Sequence, residues 1–200
     1  MTLISNQDIQ IAICRAVINW HEWSDCFENP GNVRTLAVMV DEDRFSKFCQ
    51  EYGLHWIGGE AQRRQFLDAM RNSNDFQFAV RHKSEKRLAK AMNTVKDSFG
   101  RRQLSAISKL AAFAVPSYFV AFDRYSRMGA AQLACVPLAD LEFYPRYLNE
   151  VQKLLNSYIG DGLRECIKRH PSSPSGRYRE AFLRRVLDCL LMKLGGRWSS

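Results

Sequence analysis

The stretch SKLAAFAVPSYFVAFDRYSR, residues 108–127, limits the folds open to this chain more than any other. It is apolar enough to be buried, yet it carries Lys109 near its start and Asp123 near its end. An unpaired charge in a dry interior is costly, so each must find a partner or reach the surface. Pro116 lacks an amide hydrogen and stops a helix that runs from about Arg102 to Val115. Asp123 then opens a second helix, DRYSRMGAAQLA, where a carboxylate can accept backbone N–H groups at the positive end of the helix dipole. Taken alone, Asp123 reads as an N-cap worth about 1 kcal/mol. Lys109 alone reads as a stem in the core with its ammonium reaching solvent.

The rest of the chain repeats the helical theme. Ser5 or Asn6 can cap a first helix whose Ile9, Ile13, Ala16, Val17 and Trp20 fall at helical spacing. ENPGN (28–32) is a turn, and VRTLAVMV (33–40) fits a short strand or a buried helix equally. Asp41 caps EDRFSKFCQEY, which Gly53 ends, and HWIGGE (55–60) leads into the helix EAQRRQFLDAMRNS. Ser84 caps a helix with Leu88, Met92, Val95 and Phe99 on one stripe, which leaves Lys83, Lys86, Arg87 and Lys90 for the surface. Tyr147, Leu148, Val151, Leu154, Leu155 and Tyr158 mark another. HPSSPSG (170–176) is a loop before a last helix rich in leucine. No alternation strong enough to build a sheet is present. The pattern predicts an all-α domain of about nine helices over residues 1–200, in two lobes with a cleft between them.

Charge divides the chain along its length. The net charge is +8, but residues 1–80 carry −4, residues 81–130 carry +8 and residues 131–200 carry +4. An acidic helical lobe (1–80) and a basic lobe (81–200) suggest a polyanion held on one side, with a merely soluble basic surface as the plain alternative. Six cysteines are spread widely with no C-x-x-C pair, as reduced core cysteines are, so neither a metal nor another cofactor is expected. No long uncharged apolar run and no signal-peptide order are present, which predicts a cytoplasmic protein without a membrane partner. P-loop, nucleophile-elbow and H-E-x-x-H patterns are missing too.

Around Asp123 the residues suit nucleic-acid chemistry. Arg101, Arg102, Arg124 and Arg127 are close in sequence and can bracket a phosphodiester backbone, and Lys83, Arg87 and Lys90 extend the DNA-binding set. Tyr118, Phe119, Phe122 and Tyr125 offer stacking surfaces. A carboxylate in such a groove can stabilise positive charge on a deoxyribose as its base leaves, and can orient the attacking water. The segment SKLAAFAVPSYFVAFDRYSRMGA resembles the helix–loop–Asp–helix segment of the helix-hairpin-helix DNA glycosylases, nearest their 8-oxoguanine glycosylase-like branch. The resemblance covers residues 98–130 and makes Gly100 the hairpin glycine and Asp123 the catalytic carboxylate. RRVLDCLLMKLGG is similar to the closing helix of compact bacterial members. The family's Schiff-base lysine would fall on Leu104, so Lys109, five residues later, is expected to fix the aspartate or a phosphate rather than to attack. The resemblance thus implies a monomeric, monofunctional glycosylase that acts on flipped bases of DNA. Anti-phage enzymes that remove modified cytosines, such as glucosylated hydroxymethylcytosine, are similar in concept. Trp20, His21, Trp23, Tyr118 and Phe122 are the candidate base pocket, with His55 and Trp56 as further aromatic candidates.

Two other functions fit parts of the sequence. Arg164 and His170 match the loose Arg…His spacing of HEPN ribonucleases, with His170 as general acid or base. A non-catalytic DNA binder would keep the basic surface but gains little from a carboxylate within it.

Overall fold

The computed structural model describes residues 4–24, 42–52, 54, 57, 59–99 and 103–198. Ten α-helices and no strand are found among the described residues. They are α1 (Asn6–Glu22), α2 (Glu42–Glu51), α3 (Glu60–Asn72), α4 (Asn74–His82), α5 (Glu85–Phe99), α6 (Leu104–Ala114), α7 (Arg124–Ala134), α8 (Tyr144–Leu155), α9 (Tyr158–Arg169) and α10 (Arg179–Leu194). The segment 28–40, Gly53, His55, Trp56, Gly100, Arg101 and Arg102 lie outside the described residues.

About nine helices are expected and ten are found among the described residues; the sequence pattern assigns no helix to residues 74–82, where α4 stands, and carries the stripe of α8 on to Tyr158, where α9 begins. The Ser73 side chain accepts the Phe76 N–H and starts α4 one residue after α3 ends. Ser157 accepts the Ile159 N–H and starts α9 just past α8. Both are N-caps, which satisfy amide groups that a helix start leaves without partners. Ser5 caps α1 in a reciprocal box with Asp8.

At the centre lies α10, buried on nearly every side from Ala181 to Met192. A helix that buries ten of its sixteen residues belongs in the middle of a protein. Along it packs α1, through Ala12, Ile13, Ala16 and Trp20. On another side α7 comes so close that a side chain would not fit. A Cβ on Gly129 would stand 2.0 Å from the Leu191 carbonyl oxygen, and one on Gly195 would stand 2.0 Å from that of Tyr125. One connected cluster of buried side chains runs from Ala12 to Met192. No described helix is long and apolar enough to cross a membrane.

The Gly129 contact gives a stability prediction. Alanine favours a helix over glycine by about 1 kcal/mol, but overpacking a rigid contact costs about 1–3 kcal/mol or more. Here the obstructing atom is backbone, which cannot rotate aside, so the clash wins. Gly129→Ala is expected to lower the urea midpoint, with an unchanged slope, by an amount near the upper end of that range.

Candidate active site

Asp123 is positioned by three elements. The preceding helix α6 ends at Ala114, and Pro116 begins a turn that releases an extended segment. The backbone of that segment finds its partners in side chains, as buried amides must. Ser108 of α6 accepts the Phe122 N–H at 2.9 Å. Tyr144 of α8 gives its hydroxyl proton to the Val120 carbonyl at 3.1 Å. The Phe122 ring packs edge-on against Tyr144 and Tyr147. Held this way, Asp123 enters α7 as its N-cap, and its Oδ1 accepts the Ser126 N–H at 2.9 Å.

The other carboxylate oxygen faces two cations. Lys109 Nζ lies 3.4 Å from Oδ2 and Arg197 Nη1 lies 3.8 Å from it. These are ion pairs rather than charge-assisted hydrogen bonds, which run about 2.7–2.9 Å. Oδ2 itself is buried without a hydrogen-bond partner. The ammonium does not reach solvent: Lys109 is 3% exposed and donates to the Tyr52 carbonyl at 3.1 Å.

Electrostatics keep this carboxylate ionised. Burial alone would push the Asp123 carboxyl up; the Lys109 charge above all, with the Ser126 amide and Arg197, more than offsets it and holds the group below its ordinary value. For Lys109 burial wins over the attraction of Asp123, and its ammonium is held below the usual lysine value. Lys109→Met is therefore expected to move the Asp123 titration upward. Asp123 contributes stability above its unfolded pKa of about 3.9, and loses it as pH falls through the lower folded value. In the variant the folded value lies nearer the unfolded one, so less stability is lost on acidification, and a carboxyl carbon NMR titration reads the shift.

Behind the carboxylate runs a buried polar chain. Ser126 donates its hydroxyl to Asp188 of α10 at 3.1 Å, and Asp188 pairs closely with Arg185. Burial pushes the Asp188 carboxyl up, with Arg185 pulling against it. Arg185 donates in turn to the Tyr52 hydroxyl at 3.2 Å, which Asn19 also reaches.

In front of Asp123 opens a cavity of about 480 Å³. Of the residues singled out in the sequence, Lys109, Phe122, Asp123, Arg124, Tyr125 and Arg127 line it together. Arg127 also lies over the Phe122 ring, 5.0 Å from its centre. Others are elsewhere. Trp20 and Trp23 are core residues, not pocket walls: Trp20 meets Phe182 edge-on, and Trp23 meets Phe48 and Phe113 likewise. Phe119 is buried in the core as well. His21 is exposed in the last turn of α1 and does not line the cavity. Tyr118 spends its hydroxyl on Glu85, 2.9 Å away. Lys83 is the left-handed C-cap of α4, and Arg87 and Lys90 both pair with Asp75, at 2.7 and 3.2 Å. Arg164 holds the Leu155 carbonyl and Asp161, both at 3.0 Å, while His170 caps the end of α9. Neither lines the cavity with Asp123.

Tyr52, Ser126 and Arg197 reach this place with no local sign of it in the sequence. Tyr52 joins the cavity wall from the end of the stretch EDRFSKFCQEY and Arg197 from beyond the last helix, and neither position is marked locally. Asp188 had a weaker signal than Lys109, because its helix carries five other charges and only the apolar neighbours Leu187, Cys189, Leu190 and Leu191 mark it as enclosed. Among the described residues no group of His, Cys, Asp or Glu side chains could hold a metal ion. No protein-family model matches this chain, and no curated protein or solved structure matches it.

Proposed function

We propose that this protein is a DNA glycosylase that excises a flipped, modified base and leaves an abasic site. The observation that carries this reading is an ionised aspartate, clamped by a helix start, at the wall of a cationic and aromatic-lined cavity. When the glycosidic bond breaks, its electron pair leaves with the base and the sugar carbon becomes cationic. Asp123 stabilises that charge, and water then adds to the carbon while its proton passes to the carboxylate. Arg124 and Arg127, with Arg101 and Arg102, hold the phosphates. Lys109 positions the carboxylate. Its buried ammonium, which loses its proton more readily than a free lysine, makes attack on the sugar the competing role. The enzyme works as a monomer in the cytoplasm and uses no cofactor.

Incubation with unmodified DNA and with phage DNA carrying modified cytosines, glucosylated hydroxymethylcytosine among them, tests the proposal. Mass spectrometry of released bases, together with alkali-labile breaks, is expected to show excision. Binding without release would make the protein a non-catalytic DNA binder. Borohydride separates the roles of Lys109: no trapped adduct supports the water route.

A further inference from the structure

A second cavity, of about 330 Å³, shares Tyr52 and Arg197 with the first. Small-ligand pockets begin at about this size. Its chemistry differs. The first cavity sets Lys109, Arg124, Arg127 and Arg197 against one carboxylate, which suits phosphate. The second brings Glu22 and Glu51 beside Arg15 and Arg185, with the Asn19 amide and the Trp198 indole. With Arg197 the second cavity sets three cations against two carboxylates, a balance less suited to a phosphodiester than four against one. A flat group with donors and acceptors along its edge and apolar faces fits these walls better. The guanidinium groups of Arg15 and Arg185 can donate and the carboxylates of Glu22 and Glu51 can accept, as the edge of a nucleobase requires.

Tyr52 stands where the two cavities adjoin. Its carbonyl takes Lys109 from the first side, and its hydroxyl takes Arg185 from the second. Arg197 borders both, with its guanidinium 3.8 Å from Asp123 Oδ2. We infer that the second cavity receives the departing base and that Arg197 is a catalytic residue that takes up its negative charge. The inference rests on the glycosylase reading. As the bond from the sugar carbon to the base nitrogen breaks, both electrons go to the base, whose charge spreads over its ring nitrogen and exocyclic atoms. Arg197 donates N–H groups to that anion while Asp123 faces the sugar cation. Water gives hydroxyl to the sugar, and its proton returns to the base by way of the carboxylate.

The test compares Arg197→Met and Arg197→Lys with the parent protein in two measurements. One is the single-turnover rate of base release from the DNA panel above. The other is affinity for an oligonucleotide carrying 1-aza-2′-deoxyribose, a cationic abasic nucleotide that has no base. Arg197→Met is expected to slow release by about 10²–10³-fold, the usual cost of one lost donor to a developing anion, and Arg197→Lys to recover part of it. Affinity for the cationic abasic DNA is expected to stay level or tighten, because a cation beside Asp123 has been removed. A rate equal to the parent's would overturn the inference. So would a joint fall of rate and abasic affinity, which would mean that Arg197 merely holds Asp123 in place. Ile18, exposed at the second cavity, supplies a variant that does not touch Asp123. Ile18→Trp is expected to slow release and spare abasic affinity, and an unchanged rate would remove the base from this cavity. If the parent releases no base at all, the glycosylase reading itself fails, and this inference fails with it.

Discussion

Asp123→Asn is expected to slow base release by at least about a thousandfold, or about 4 kcal/mol of barrier, while DNA binding survives. The substitution keeps size and shape. Asparagine caps helices about as well as aspartate, so its side-chain oxygen can still accept the Ser126 N–H and α7 still starts where it does. Only the charge is lost, the charge that in the proposed mechanism offsets the cation on the sugar. Binding does not suffer, because a carboxylate near phosphates is repulsive to begin with. The variant leaves Lys109 and Arg197 facing a neutral amide, so a thermal melt belongs beside the kinetics to show that the fold persists. An Asn variant as active as the parent would remove Asp123 from the mechanism.

Stability is expected to fall most with Asp188→Ala, by about 3–5 kcal/mol. The lost carboxylate is fully enclosed in α10, where it holds the Arg185 guanidinium and the Ser126 hydroxyl. Removing it leaves the largely buried Arg185 cation with the Tyr52 hydroxyl, a neutral partner that offsets little of the desolvation of its charge. At about 2–4 °C per kcal/mol for a chain of this size, the melting temperature is expected to drop by about 6–20 °C. The double variant Arg185→Met/Asp188→Leu removes both charges and is expected to regain most of the loss, since a well-packed apolar pair often replaces a buried ion pair without penalty. A single variant that melts with the parent would show the pair to be incidental.

Much of the architecture was legible because helices announce themselves locally. Ser5, Pro116 and Asp123 act within a few residues of where they stand, so the start of α1, the stop of α6 and the start of α7 could be read directly. Spacing assigned no helix over Asn74–His82 and carried the α8 stripe on to Tyr158, because Ser73 and Ser157 begin new helices by capping, which apolar spacing does not register. The site was half legible. Lys109 and Asp123 are odd in their surroundings, and they meet. Arg197 and Tyr52 have no such oddness; they arrive by tertiary packing, 74 and 71 residues from Asp123. Trp20 and Trp23 misled for the opposite reason. Large aromatics serve a core and a base pocket equally well, and burial decided for the core.

The bare backbone contacts of Gly129 with Leu191 and of Gly195 with Tyr125 have a consequence for how charge can develop beside Asp123. With no side chains between them, the start of α7 and the end of α10 are fixed to each other by main chain, not by rotamers. The Ser126 amide dipole and the attachment point of Arg197 therefore stand ready before any substrate arrives. An environment oriented in advance pays no reorganisation cost as a bond begins to ionise. Loosening either glycine contact would then cost turnover out of proportion to the stability lost, because the dipoles would have to be realigned in every catalytic cycle.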